Sequence, residues 1–161
     1  MAAPAQLTNK QKQRYGNLFA FLRKRKSSSD DVLAQECHDL VFENTNCLTC
    51  ANCCKTYPPL LKEKDIMRIA NHLKITAAQF VAQYAVIDED GDWVMHTVPC
   101  PFLMPDNACS IYAVRPGACK AYPHTNQKKL YQIADITLKN AEICPAVAPI
   151  LDAMMAKLPI Q

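Results

Sequence analysis

Two adjacent cysteines, Cys53 and Cys54, close an eight-residue run, CLTCANCC, that also holds Cys47 and Cys50. No other stretch restricts the chain so strongly. Two-residue spacing lets a tight loop turn successive sulfurs toward one point while its backbone amides donate to them. Adjacent residues do the opposite: their side chains leave on opposite sides of an extended backbone and about 100° apart on a helix. Cys53 and Cys54 are therefore expected to serve two neighbouring sites, or one polynuclear centre, rather than a single ion.

Four more cysteines follow at positions 100, 109, 119 and 144, and Cys37 brings the count to nine in 161 residues. Disulfides are a poor use for them. The count is odd, no apolar run of signal-peptide type opens the chain, and a chain of this length can bury a core without staples. Vicinal Cα atoms, about 3.8 Å apart, also lie below the usual disulfide range. The expected setting is the cytoplasm, where thiols stay reduced unless metal or catalysis claims them. No segment approaches the roughly 18 apolar residues of a membrane span, so the chain is not expected to be transmembrane.

Thiolates suit zinc and iron–sulfur clusters and are poor ligands for magnesium or calcium. Eight sulfurs divide naturally into two four-ligand sites, with Cys47, Cys50, Cys53 and Cys54 shared between them and completed by Cys100, Cys109, Cys119 and Cys144. Zinc ribbons present two CxxC knuckles well apart, which this chain lacks. Three cysteines at two-residue spacing with a distant Cys-Pro match ferredoxin-type ligation better. Both Cys100-Pro101 and Cys144-Pro145 offer that pair, so iron is favoured, with zinc the close alternative.

The fold expected is mainly α, with irregular cysteine-rich loops and a small β-hairpin, in a single compact metal-stabilised domain. Residues 1–43 would supply two helices and 44–161 the cysteine-cluster region. Tyr15, Leu18, Phe19 and Leu22 recur at helical spacing over 9–26 behind Thr8 as N-cap. A second helix is expected from a cap at Ser29 or Asp30 to about Glu43, with Leu33, Cys37, Leu40 and Val41 inward and Cys37 an ordinary core residue. The cysteine loop runs from Asn44 to about Pro59. Helices near 62–73 and 76–85 follow, the second opened by a Thr76/Gln79 capping box. Residues 86–98 suggest a hairpin turning at Asp90-Gly91. Asp88, Asp90 and Asp92 do not make a calcium loop, because Trp93 and Pro99 stand where Gly and the bidentate Glu are needed. Residues 128–138 form a short apolar segment of undefined type. Cys144-Pro145 opens a last helix with Ile150, Leu151, Met154 and Met155 inward, Pro145 taking its first position.

Charge is uneven. Seven of the eighteen basic residues lie in 1–26, where no acid occurs, and the rest of the chain carries eleven basic and fifteen acidic residues. The basic face of 10–26 could meet nucleic acid or an anionic membrane; docking of its apolar stripe on the core is the simpler expectation. With only three glycines and no phosphate-binding loop, phosphate-cradling chemistry is improbable.

The motifs together carry a resemblance. CLTCANCC, Asp65-Ile66, CPFL from Cys100, CSIYAVRPGACKAYP from Cys109 and the later Cys144 are similar to the YkgJ-type CxxCxxCC cysteine-cluster proteins, described as zinc- or iron-chelating domains. The resemblance spans about 100 residues and implies metal-ligand roles for Cys47, Cys50, Cys53, Cys54, Cys100, Cys109, Cys119 and Cys144. A related cysteine motif in a flagellin lysine methylase implies an enzymatic option. Beside the ligands, Arg115 and Tyr112 are expected to support the centre, a guanidinium offsetting thiolate charge, and His124 is the best spare ligand or proton donor. Three functions follow: a metal-holding protein that stores or delivers metal or passes electrons to a protein partner, a metal-dependent enzyme in group transfer to a protein, and a structural zinc module.

Overall fold

A computed structural model describes residues 6–160. The chain divides into two compact units, Met1–Asn46 with Pro123–Gln161, and Cys47–Tyr122. The first boundary falls three residues beyond the expected 43/44 division. The second, at Tyr122, had no counterpart in the sequence reading: the C-terminal segment returns to the N-terminal helices.

The first unit begins with α1 (Asn9–Arg25), whose capping box joins the Thr8 hydroxyl to the Gln11 N–H and the Gln11 side chain to the Thr8 N–H. Arg23, Lys24 and Arg25 lie in its last turn, where cations oppose the helix dipole. Helix α2 (Ser28–Phe42) is capped by Ser27, two residues before the nearer expected cap, Ser29, because the Ser27 hydroxyl accepts the Ser29 N–H. Its inward stripe is Ala34 and Cys37; Leu40 faces solvent, against the periodic reading. Residues 128–138 resolve into a 3-10 turn, Leu130–Ile133, and α7 (Ala134–Ala141). The Asp31 carboxylate accepts the Lys129 and Leu130 N–H groups and fixes that turn. Helix α8 is Val147–Lys157, so Pro145 precedes it instead of occupying its first position. Ile150, Leu151 and Met154 are fully buried beside Tyr15, Leu18, Phe19 and Leu22, with α2 packed on α8.

The basic face of α1 is partly neutralised within this unit. Lys12 pairs with Glu142 at 2.7 Å, Arg14 with Asp152 at 3.2 Å and Arg25 with Asp30 at 3.5 Å. Its apolar stripe docks in the core as the simpler expectation had it. Among the described residues, no helix is long and apolar enough to cross a membrane.

The second unit contains α3 (Asn52–Thr56), α4 (Glu63–Leu73), α5 (Ala77–Tyr84), strands β1 (Ala85–Ile87) and β2 (Trp93–Met95), and α6 (Gly117–Ala121). The Thr76/Gln79 capping box opens α5 as expected. The strands pair antiparallel with Val86 opposite Val94. Gly91, at φ +85°, takes the left-handed position of the turn, and the Asp88 carboxylate accepts the Asp90 and Asp92 N–H groups. Leu61, Ile66, Ile69, Phe80, Met95, Phe102 and Ile111 form the core of this unit. A mainly helical chain with one small hairpin is thus what folds. The cysteine segments are less irregular than expected, since short helical turns carry four of the eight motif thiols, Cys47, Cys53, Cys54 and Cys119.

Candidate metal centre

Cys47 opens a 3-10 turn, Cys47–Thr49, whose carbonyl accepts the N–H groups of Cys50 and Ala51. Ala51 then adopts a left-handed backbone, φ +48°, and the chain re-enters as α3 with Cys53 and Cys54 in its first turn. This reversal places two sulfurs on a turn and two on a helix within eight residues. The Lys55 ammonium donates to the Cys50 carbonyl at 2.9 Å and ties the two pieces together.

The second set of thiols reaches the first through the backbone. The Cys100 N–H donates to the Cys54 carbonyl at 2.8 Å. Leu103 bridges Cys109 in antiparallel fashion, and the Ser110 N–H returns to the Phe102 carbonyl. Asn107 donates its side-chain amide to the Leu48 carbonyl at 2.8 Å, closing this loop onto the first turn. From Cys109 a 3-10 turn, Tyr112–Val114, leads through Arg115 and Pro116 to α6, which carries Cys119.

The thiols influence one another strongly. Burial pushes the Cys119 thiol up to about 12, with Cys54, Cys100 and Cys109 adding to it and Arg115 opposing. Burial also raises Cys100, whose sulfur receives the Phe102 and Leu103 N–H groups while Cys54 and Cys109 repel its thiolate. Cys109 rises for the same first reason, against an N–H from Ile111, with Cys54 adding and Arg115 opposing. Cys54 is raised by its hydrogen bond with Cys53 and then by burial and the Cys53 charge, and Lys55 works the other way. Every pair among Cys54, Cys100, Cys109 and Cys119 is therefore close enough to interact through charge. Cys47 is raised by burial, then by Cys50 and Cys54, with Arg115 again lowering it. Cys54 belongs to both groups.

Cys53 Sγ and Cys54 Sγ stand 3.9 Å apart. The two sulfurs come this close although the residues are adjacent on one helix. A tetrahedral thiolate site with bonds near 2.3 Å has sulfur–sulfur edges of about 3.8 Å. The distance suits one shared ion and two adjoining sites alike. Among the described residues no three His, Cys, Asp or Glu side chains yet meet at one ligating point. The donor set, soft sulfur with backbone N–H groups and a guanidinium around it, suits zinc or iron.

Arg115 lies with its guanidinium 3.8 Å from the centroid of the exposed Tyr112 ring and donates to the Tyr112 carbonyl at 2.9 Å. From there its charge reaches Cys47, Cys109 and Cys119. Seven of the eight motif cysteines, with Arg115 and Tyr112, lie in the second unit. Cys144 and His124 lie in the first. Cys144 follows α7, its N–H donating to the Asn140 carbonyl, and packs against that unit's core. His124, at φ +67°, shares a 2.8 Å hydrogen bond with Gln127, and burial lowers its pKa. Cys37 is fully buried in the first unit's core, as its place on the helical stripe implied. None of the nine cysteines is joined in a disulfide.

The carboxylate of Asp65, 1% exposed, and the guanidinium of Arg68 carry a network that sequence reasoning did not assign. Asp65-Ile66 stood among the motifs of the family resemblance without a role, and Arg68, three residues on, gave no signal of its own.

A family described as "Putative zinc- or iron-chelating domain", with the signature CxxCxxCC, matches residues 46–145. That span exceeds half of the 161 residues, and the chain belongs to this family. Neither a curated protein nor a solved structure matches it.

Proposed function

We propose that the protein holds iron, as an iron–sulfur centre, or zinc, on its clustered thiolates, in a reducing compartment such as the cytoplasm. The observation that carries this reading is the gathering of seven motif cysteines in one unit, with the Cys53 and Cys54 sulfurs 3.9 Å apart and the Cys100 N–H donating to the Cys54 carbonyl at 2.8 Å. Cys54, Cys100, Cys109 and Cys119 would form one sulfur set. Cys47, Cys50 and Cys53 adjoin it through Cys54, which makes Cys54 the candidate bridging thiolate.

The residues of the chain have definable tasks in such a centre. Without metal, burial and neighbouring thiols favour the protonated forms of Cys47, Cys54, Cys100, Cys109 and Cys119, so metal entry releases protons and binding strengthens as pH rises. Arg115 and Lys55 offset the negative charge that deprotonation leaves. The N–H groups of Phe102, Leu103 and Ile111 donate to sulfur and orient it. Bound iron–sulfur would supply a one-electron couple; bound zinc would supply rigidity alone. Storage, delivery or electron transfer to a protein partner all use this same centre.

Metal analysis with visible absorption of protein purified without oxygen tests the reading. Iron–sulfur predicts stoichiometric iron and sulfide with a visible charge-transfer band; zinc predicts a colourless metalloprotein. Folded protein that is colourless and metal-free sinks both.

A further inference from the structure

We infer that Asp65 and Arg68 are positioning residues for the thiol centre, setting the arm that carries Cys109, Arg115 and Cys119. The inference rests on the metal-holding reading and adds what fixes the ligands before metal arrives.

The two side chains lie on α4 and reach a segment about fifty positions away. Asp65 accepts the Lys62 N–H at 3.1 Å on one oxygen. Its other oxygen accepts Arg68 Nη2 at 2.6 Å and the Gly117 N–H at 3.2 Å. Arg68 continues outward, Nη2 donating to the Arg115 carbonyl at 2.9 Å and Nε to the Val114 carbonyl at 3.3 Å. Residues 114, 115 and 117 are thereby held to one ion pair, whose carboxylate is buried and whose guanidinium is partly exposed. They are the connection between Cys109 and Cys119, and they include the backbone from which Arg115 aims its guanidinium.

The anchor itself is rigid. Ile66, Ile69 and Ala70 of α4 are buried in the unit's core with Phe80, Phe102 and Ile111. Gly117 packs close to the carboxylate, where a Cβ would stand 3.8 Å from both oxygens. The guanidinium serves the carboxylate and two carbonyls from two nitrogens held in one plane, Nε and Nη2, a spacing that a single ammonium nitrogen does not reproduce. Lysine keeps the charge and loses that spacing.

The test uses cobalt(II), whose ligand-field and thiolate charge-transfer bands report sulfur geometry, titrated without oxygen into the full chain. Thermal unfolding of the metal-free protein is measured alongside. Wild type, Arg68→Lys and Asp65→Asn are compared with Thr76→Ala, which removes the exposed cap of α5 and touches none of these groups. The expected result is cobalt binding about tenfold weaker, or worse, in Arg68→Lys and Asp65→Asn, with displaced ligand-field bands. Thr76→Ala should lose stability and keep the wild-type spectrum and affinity. If Asp65→Asn fails to fold, Arg68→Lys decides alone. Wild-type affinity and spectrum in Arg68→Lys overturn the inference, as does equal weakening in Thr76→Ala at a matched loss of stability. Wild-type protein that takes up no cobalt overturns the metal-holding reading as well.

Discussion

Arg115 shows how one side chain can do a local and a distant task together. Its guanidinium lies over the Tyr112 ring, where a cation meets the negative face of the π-system, and it also closes the turn by donating to the Tyr112 carbonyl. The charge so held lowers the cost of deprotonating Cys47, Cys109 and Cys119. Arg115→Gln removes the charge and leaves a shorter, neutral donor. The thiol pKa values then rise, protons compete better with metal, and the pH at which half the metal is lost moves up by roughly half a unit. Metal retention measured across a pH series checks the direction; an unchanged or lowered midpoint contradicts it. Arg115 was legible in sequence as a cation among cysteines, and Cys37 as a core residue from its place on an apolar stripe. The convergence of Cys53 and Cys54 was not legible, since it depends on rotamers that spacing does not encode.

At the scale of elements, α4 has more consequence than its length implies. Burial by itself would raise the pKa of Asp65. The hydrogen bonds from Arg68, Lys62 and Gly117 and the nearby guanidinium charge outweigh it, and the carboxyl sits below its ordinary value of 3.8. A lowered folded-state pKa stabilises the fold fully above the unfolded value, and that contribution is lost as pH falls through the folded value. Metal-free wild type should therefore lose stability below about pH 4 more steeply than Asp65→Asn, which has no such group to protonate. Urea midpoints at pH 6, 4 and 3 would show it; parallel curves for the two proteins would contradict it. The helices that apolar period and caps announce, α1, α4 and α5, came through in the sequence. Helices α3 and α6 did not. Each is five residues long, too short for a periodic signal, and their cysteines read as ligand spacing instead. Contacts between α4 and residues 114–117 were beyond reach for a different reason: they join segments whose separation no local pattern records.

Across the whole molecule, each unit has its own core, and seven of the motif thiols belong to one of them. Stripping metal should accordingly act unevenly. Amide exchange after anaerobic chelation is expected to accelerate in α3, α6 and residues 100–115, while the buried faces of α1 and α8 keep their protection. Uniform acceleration through both units would contradict this, as would none at all in the cysteine segments. The division itself was only half legible. A change of composition at the first cysteine run marks where the second unit begins, but the return at Pro123 lies among turn residues that continue the same pattern.

That return has a consequence for the order in which the protein can be assembled. The second unit is one uninterrupted stretch, and every residue of its core has been joined to the chain by Tyr122. The first unit then has α1 and α2 but lacks Leu130, Ala134, Val147, Ile150, Leu151 and Met154. At a synthesis rate of about 5–20 residues per second, completing it through α8 takes a few seconds more. On a ribosome the thiol-bearing unit is whole first, and the helices made earliest are the last to find their partners.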